Sequence, residues 1–212
     1  MNFKAQLLIH INYYYFYSML HPFLFQSVDP VVSLSESEKE ILSGYFSSLV
    51  LAKNDHYLRE GSFCRSVAFV CKGTLAYYKR LKSGDEATTD FAFAGDWATD
   101  NRSRLSNTPS LINIKALSTA ELLVITQENL EKCYRLIPKT ERQGRILIEQ
   151  AFVRIAMQSI DLQTLSASQR YQKLVQEHPE IVQQVPLYHI ASYLGIAPKS
   201  LSRIRREKSP GR

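Results

Sequence analysis

The period of apolar residues changes along this chain. Between Leu49 and Thr126 they fall in short runs: Ser66–Cys71, Leu75–Lys79, Thr88–Phe93, Ile112–Leu117 and Glu121–Ile125. Glycines stand among them at Gly61, Gly73, Gly84 and Gly95, spaced by 12, 11 and 11 residues. Short runs with glycine turns at regular spacing predict antiparallel strands closing into a jelly-roll-like β-roll. Lys82-Ser-Gly-Asp85 predicts a hairpin turn within it.

On either side of this segment the pattern is helical. Ser35-Glu-Ser-Glu38 reads as a capping box opening a helix to about Phe46. Gln127 to Tyr134 predicts a short helix, and Pro138 fits the first turn of a long one. Ile148, Phe152, Ile155 and Leu162, with Ala151 beside them, recur at helical spacing and form an apolar stripe. Such a stripe packs on its own β domain or on a twin. Because the helix joins domains, the twin is the favoured reading, which makes this a dimerisation helix. Ser166-Ala-Ser-Gln169 is a second capping box, opening a helix to about His178.

The segment Leu187 to Ile204 carries the sharpest signal. Counted from Leu187, apolar residues occupy the fourth, eighth, tenth, fifteenth and eighteenth positions: Ile190, Leu194, Ile196, Leu201 and Ile204. Ala191 stands where two helices must approach closely, and Gly195 where the turn needs a positive φ. Pro198 fits the first turn of the second helix. This spacing predicts a helix-turn-helix whose second helix presents Lys199, Ser200, Ser202, Arg203, Arg205 and Arg206. Arg203 is the candidate for base contact, because base edges in a major groove are read by bidentate donors. Lys199, Ser200 and Ser202 would share base and phosphate contacts, with Arg205 and Arg206 on the backbone.

Charge sharpens this picture. The chain has 26 Lys and Arg against 20 Asp and Glu, a net +6. From Ala167 onward eight basic residues face three acids, so +5 of that excess lies in the C-terminal unit. The three cysteines, Cys64, Cys71 and Cys133, form no C-x-x-C pair, so buried thiols in a reducing cytoplasm are expected rather than disulfides or a metal site. Leu7 to Phe25 is aromatic-rich but broken by His10, Asn12, His21 and Pro22, too interrupted for a signal peptide or a membrane span. Met19 is a candidate start, which would make the preceding residues an upstream extension. No catalytic motif is visible and the five histidines are scattered, so an enzyme is not expected. His189 lies on the first helix of the helix-turn-helix, where an orienting or surface role suffices.

From about Val28 onward the chain resembles the Crp/Fnr family of bacterial transcription regulators. Leu165-Ser-Ala-Ser-Gln-Arg-Tyr171, Val185-Pro-Leu-Tyr-His-Ile-Ala-Ser-Tyr-Leu-Gly-Ile196 and Leu201-Ser-Arg-Ile-Arg-Arg206 carry the resemblance. Arg59-Glu-Gly61 and Gly95-Asp-Trp97 extend it into the β segment, which is similar to a cyclic-nucleotide-binding roll. The resemblance implies a homodimer along the long helix, binding a two-fold operator in double-stranded DNA. RNA polymerase is a further candidate partner. The family's base-reading arginine matches Arg203, while a glutamate common one turn earlier is Lys199 here, which implies a different operator.

In nucleotide-binding members a Gly-Glu opens a phosphate cassette, and an arginine before a small residue grips the cyclic phosphate about eleven residues later. Here Gly95-Asp96 keeps the opening, but Ser106-Asn-Thr-Pro-Ser110 offers no arginine, and Arg102 and Arg104 stand at other spacings. The candidate effector pocket is Gly95, Asp96, Trp97, Pro109 and Ser110, with an unknown effector, cAMP not expected, and no cofactor required. Glu207 to Arg212 is too short for a hairpin, so the wing that follows the recognition helix in many members is expected to be short or absent.

The sequence thus predicts an α+β chain: extension 1–27, sensory β-roll 28–134, connecting and dimerisation helix 135–163, and helix-turn-helix unit 164–212. Its expected role is a cytoplasmic, dimeric, sequence-specific transcription regulator without membrane contact. The rival reading is a ligand sensor whose basic tail binds a protein partner.

Overall fold

The computed structural model describes residues 22–208. The Met19 start and the expectation of a short or absent wing fall outside these residues. Residues 22–28 are helical (α1), followed by α2, Glu36–Ser43. Eight strands come next: β1 Ser47–Leu51, β2 His56–Leu58, β3 Ser66–Lys72, β4 Leu75–Arg80, β5 Glu86–Ala92, β6 Trp97–Ala98, β7 Asn113–Ala116 and β8 Ala120–Thr126. A short helix, α3, Asn101–Ser106, interrupts them between β6 and β7. Helices α4 (Gln127–Leu136), α5 (Lys139–Thr164), α6 (Ala167–Glu177), α7 (Ile181–Gln184), α8 (Leu187–Tyr193) and α9 (Pro198–Lys208) complete the chain.

The strands form two antiparallel four-stranded sheets, ordered β1-β8-β3-β6 and β2-β7-β4-β5. Side chains alternate across each sheet, and in β3, β4 and β8 residues of both faces are buried, which is why these strands read as apolar runs. Ala68, Val70, Leu75, Tyr77, Ile114 and Leu122 fill the space between the sheets. Phe69, Leu123 and Ile125 point the other way and pack with Leu24, Val28, Leu42, Cys133 and Ile137. On the outside of the second sheet, Ala76, Phe91 and Phe93 join Tyr171, Ile181, Ile190 and Leu201 of the C-terminal helices. The roll is therefore the middle layer of three.

Helix α1 crosses the expected boundary between residues 27 and 28, and Leu24 is fully buried. That boundary cuts a structural element: residues 22–27 pack with the roll rather than forming a separate extension.

Both capping boxes form. The Ser35 amide donates to Glu38 Oε2 at 2.8 Å and the Glu38 amide to Ser35 Oγ at 3.3 Å. Ser166 and Gln169 repeat the exchange at 2.9 and 3.3 Å. The hairpin between β4 and β5 closes with the Leu81 amide donating to Asp85 O at 2.9 Å.

Gly73, between β3 and β4, has φ +89°, and a Cβ there would lie 2.5 Å from Thr119 O and 2.8 Å from Ala120 Cα. Gly84 has φ +91° but open space around it. Gly73→Ala should therefore lower stability by about 2 kcal/mol, and Gly84→Ala by about 1 kcal/mol, the backbone term alone. Urea denaturation of the two variants checks this. Equal losses would mean that the Thr119 contact yields without cost.

Candidate nucleic-acid interface

Helices α8 and α9 are held at their turn by a small core. Ile190, Ala191, Leu194 and Leu201 are at most 2% exposed, and they pack with Tyr171 and Leu174 of α6 and with Ile181 and Val185. Gly195 has φ +67°, and the Ile196 amide donates back to Ala191 O at 3.0 Å. Arg170 of α6 braces the turn, donating from its guanidinium to Leu194 O at 2.9 Å and to Leu165 O at 2.6 Å.

The opposite side of α9 faces solvent. Lys199, Arg203 and Arg206 are exposed, while Ser200, Ser202 and Arg205 are half-buried. Arg203 keeps 70% of its side chain exposed, with Glu207 3.9 Å from its Nε. Ser202 Oγ donates to Pro198 O at 3.0 Å, so in this rotamer its hydrogen is committed to the helix. All six predicted residues thus lie on one short helix, three of them, Lys199, Arg203 and Arg206, as exposed cations.

The C-terminal helical unit does not hang free. Helix α8 lies against β5: the Thr88 amide donates to Ser192 Oγ at 2.9 Å, and Ser192 Oγ donates to Glu86 O at 3.0 Å. Thr74 Oγ1 donates to Gln184 Oε1 at 2.6 Å. Aromatic contacts add Phe91 to Tyr193 at 5.4 Å and Phe93 stacked on His178 at 4.6 Å. His189 is completely buried, with Nδ1 2.8 Å from Thr88 Oγ1. His189 is therefore not a surface residue.

The expected stripe on α5 is left uncovered by its own roll. Ile148 is 41% exposed, Phe152 72%, Ile155 61% and Leu162 50%. Val153, Met157 and Ile160 are exposed too, so the apolar surface is broader than the four-residue stripe.

The five expected pocket residues are not gathered at one point. Trp97 pairs across from Phe69 in β3 and its ring lies tilted against that of Phe69 at 5.1 Å, placing it on the outer face of the first sheet with Phe46. It is packing for the helical layer, not a wall of the roll interior. Asp96 Oδ2 accepts from the Phe93 amide at 2.8 Å, and the Gly95 amide donates to Val70 O at 2.8 Å. Pro109 and Ser110 lie beside a residue the sequence reading passed over. Buried Ser110 donates from Oγ to Asp100 Oδ2 at 2.7 Å, while Asp100 Oδ1 caps α3 by accepting from the Ser103 amide at 3.1 Å. Arg104 is turned toward Gln127 and Asn101, at 2.6 and 2.8 Å. Exposed Arg102 donates only to Pro109 O, at 3.3 Å.

The cysteines are free, and burial pushes the Cys71 thiol up to about 12 and the Cys133 thiol to about 11. Among the described residues no cluster of His, Cys, Asp and Glu could hold a metal, and no helix is long and apolar enough to cross a membrane.

Residues 49–135 match the cyclic nucleotide-binding domain family. The chain carries a cyclic nucleotide-binding-type roll. No curated protein matches the chain. Among solved structures, FixK2 from Bradyrhizobium japonicum superimposes with TM-score 0.66 at 16% identity, over 76% of this chain and 83% of that one. A transcriptional regulator of the Crp/Fnr family from Eubacterium rectale gives 0.62 at 18% identity, over 82% and 83%. The c-di-GMP responsive global regulator CLP of Xanthomonas campestris gives 0.62 at 13%, over 82% and 91%. These likenesses establish the fold: a cyclic nucleotide-binding-type roll followed by the helical architecture of Crp/Fnr regulators.

Proposed function

We propose that the protein is a homodimeric, sequence-specific DNA-binding transcription regulator of the Crp/Fnr type, and that α9 reads each half of a two-fold operator. The observation carrying this reading is the basic, solvent-facing side of α9 set on a buried helix-turn-helix core. Arg203, whose side chain is 70% exposed, reads a base edge. Lys199 and Ser200 contact base or phosphate, as does Ser202, while Arg205 and Arg206 hold the backbone. The uncovered apolar face of α5 pairs with that of a second copy. RNA polymerase is the expected downstream partner.

The roll does not take cAMP in this reading. A cyclic phosphate needs cations and hydrogen-bond donors, yet Ser110 already donates to a carboxylate of the chain itself, Asp100. Pro109 stands beside it where a guanidinium would be wanted, and placing a phosphate against Asp100 sets two anions together. Signalling therefore comes from another ligand or site. The roll would serve as a sensory domain, not as a catalytic one.

Selection from a random duplex library followed by fluorescence anisotropy tests the proposal. The selected duplex should bind with a log affinity that falls linearly with log salt. Arg203→Ala should reduce the preference for that duplex over a scrambled one by about tenfold or more, with a smaller effect on the scrambled one. Absence of salt-sensitive binding to any duplex would sink the regulator reading.

A further inference from the structure

Between the roll, α5, α6 and α8 lies a cavity of about 270 Å³. Its size is close to the lower end of small-molecule sites, roughly 300 Å³. One wall is aromatic: Phe91, Phe93 and Tyr193 of the roll and α8. The facing wall carries cations that differ in how they are held. Arg154 is paired with Asp90 at 3.3 Å, and Lys173 with Asp161 at 2.5 Å and Glu177 at 3.9 Å. Arg170 has no such carboxylate. Its two terminal nitrogens hold backbone carbonyls, and its buried Nε has no protein partner.

We propose that this interdomain cavity is a ligand site for a small planar aromatic carboxylate, bound through Arg170 against the aromatic wall. An aromatic ring fits offset or edge-on to Phe91, Phe93 and Tyr193, where such pairs add about 1 kcal/mol beyond burial. A carboxylate completes the hydrogen bonding of a guanidinium better than a neutral acceptor does, since both partners are charged. The acids lining the cavity do not exclude it, because each is held by a lysine or arginine. A cationic ligand would instead meet Arg170 with no counter-charge.

The placement makes occupancy consequential. The guanidinium that takes the ligand also holds Leu194 O, the carbonyl immediately before the turn at Gly195. Binding therefore stiffens the junction between the roll and the reading unit. This last step rests on the regulator reading; the binding site itself does not.

The test is calorimetric titration of the full chain with benzoate and, as neutral isostere, benzamide. Benzoate should bind saturably and benzamide at least about tenfold more weakly. Arg170→Gln should abolish the difference between them. Because Arg170 also braces the fold, Gln158→Trp serves as the second variant. Gln158 lines the cavity from α5, is half-buried and donates only a long bond to Thr89 O at 3.4 Å, so a larger side chain there fills the space without touching the apolar face of the helix. It should remove benzoate binding while the chain stays folded by circular dichroism. No saturable heat with benzoate, equal binding of benzamide, or undiminished binding to folded Gln158→Trp would each overturn the site. Duplex binding by the ligand-free chain is scored separately. Intact DNA binding without benzoate binding rejects only this site, and benzoate binding without DNA binding rejects only the regulator reading.

Discussion

Replacing Phe152 and Ile155 together by aspartate is expected to convert the protein from dimer to monomer and to weaken operator binding by about 100-fold or more. Both side chains project from α5 at 72% and 61% exposure, so a single copy gains little from them. Burying each in a partner contributes about 1.5–3 kcal/mol per protomer, and two-fold symmetry makes each contribution twice. Aspartate removes that gain and sets four carboxylates into one apolar seam, where like charges and desolvation both oppose pairing. A monomer engages one half-site and loses the high effective concentration that a linked second reader supplies. Sedimentation velocity reads the first effect and anisotropy on the selected duplex the second. The roll and the reading unit should melt as before, because neither residue belongs to their buried clusters. A variant that still sediments as a dimer would place the interface elsewhere.

Why some of this was legible in the sequence and some not follows from what each element depends on. Capping boxes at Ser35 and Ser166 are local chemistry, four residues long, and both formed where the sequence put them. Strands β3, β4 and β8 carry apolar residues buried on both faces, so their runs stand out whatever their partners. The helix-turn-helix announces itself because a sharp turn tolerates few side chains at Ala191 and Gly195. By contrast β1 opens on Ser47-Ser48 and exposes most of its residues, β6 has only two, and α3 is six residues under an Asp100 cap. None has enough length to show a period. Whether Trp97 is core or pocket wall was open for the same reason: only pairing with Phe69 decides which face a two-residue strand presents. The contact between α8 and β5 joins residues about a hundred positions apart, and its polar members, Glu86, Thr88 and Ser192, resemble surface residues until the two elements meet. Arg170 appeared in the sequence as one basic residue of the C-terminal unit, whereas its side chain proves to line a cavity.

That same contact yields the remaining large effect: acidification from pH 6.5 to pH 4 should loosen the reading unit from the roll, and His189 should account for about 3 kcal/mol of it. His189 is fully buried, and its Nε2 has no hydrogen-bond partner, with Glu86 3.9 Å away. Glu86 is itself engaged by Lys115 at 2.5 Å. Burial first, and then the Lys115 charge, lower the His189 pKa to about 4, with Glu86 opposing them. An exposed histidine titrates near 6.5. Between these values the opened or unfolded chain binds the proton and the docked chain does not. Stability is therefore fully present above about pH 6.5 and falls as pH drops toward 4. Asp90 acts in the opposite sense: burial raises its pKa despite Arg154, so its protonation favours the docked form as pH falls. The histidine's share is isolated by comparison with the paired variant His189→Leu/Thr88→Val. Removing both partners avoids stranding the Thr88 hydroxyl, whose loss of a partner alone would cost about 1–3 kcal/mol. Denaturant unfolding across pH 4 to 7, with hydrogen exchange on α8 and β5, should show a steeper loss in the parent chain than in the pair. Parallel curves, or a His189 that titrates near 6.5 by nuclear magnetic resonance, would refute this, since only a histidine kept neutral by its burial beside Thr88 opposes protonation in the docked form.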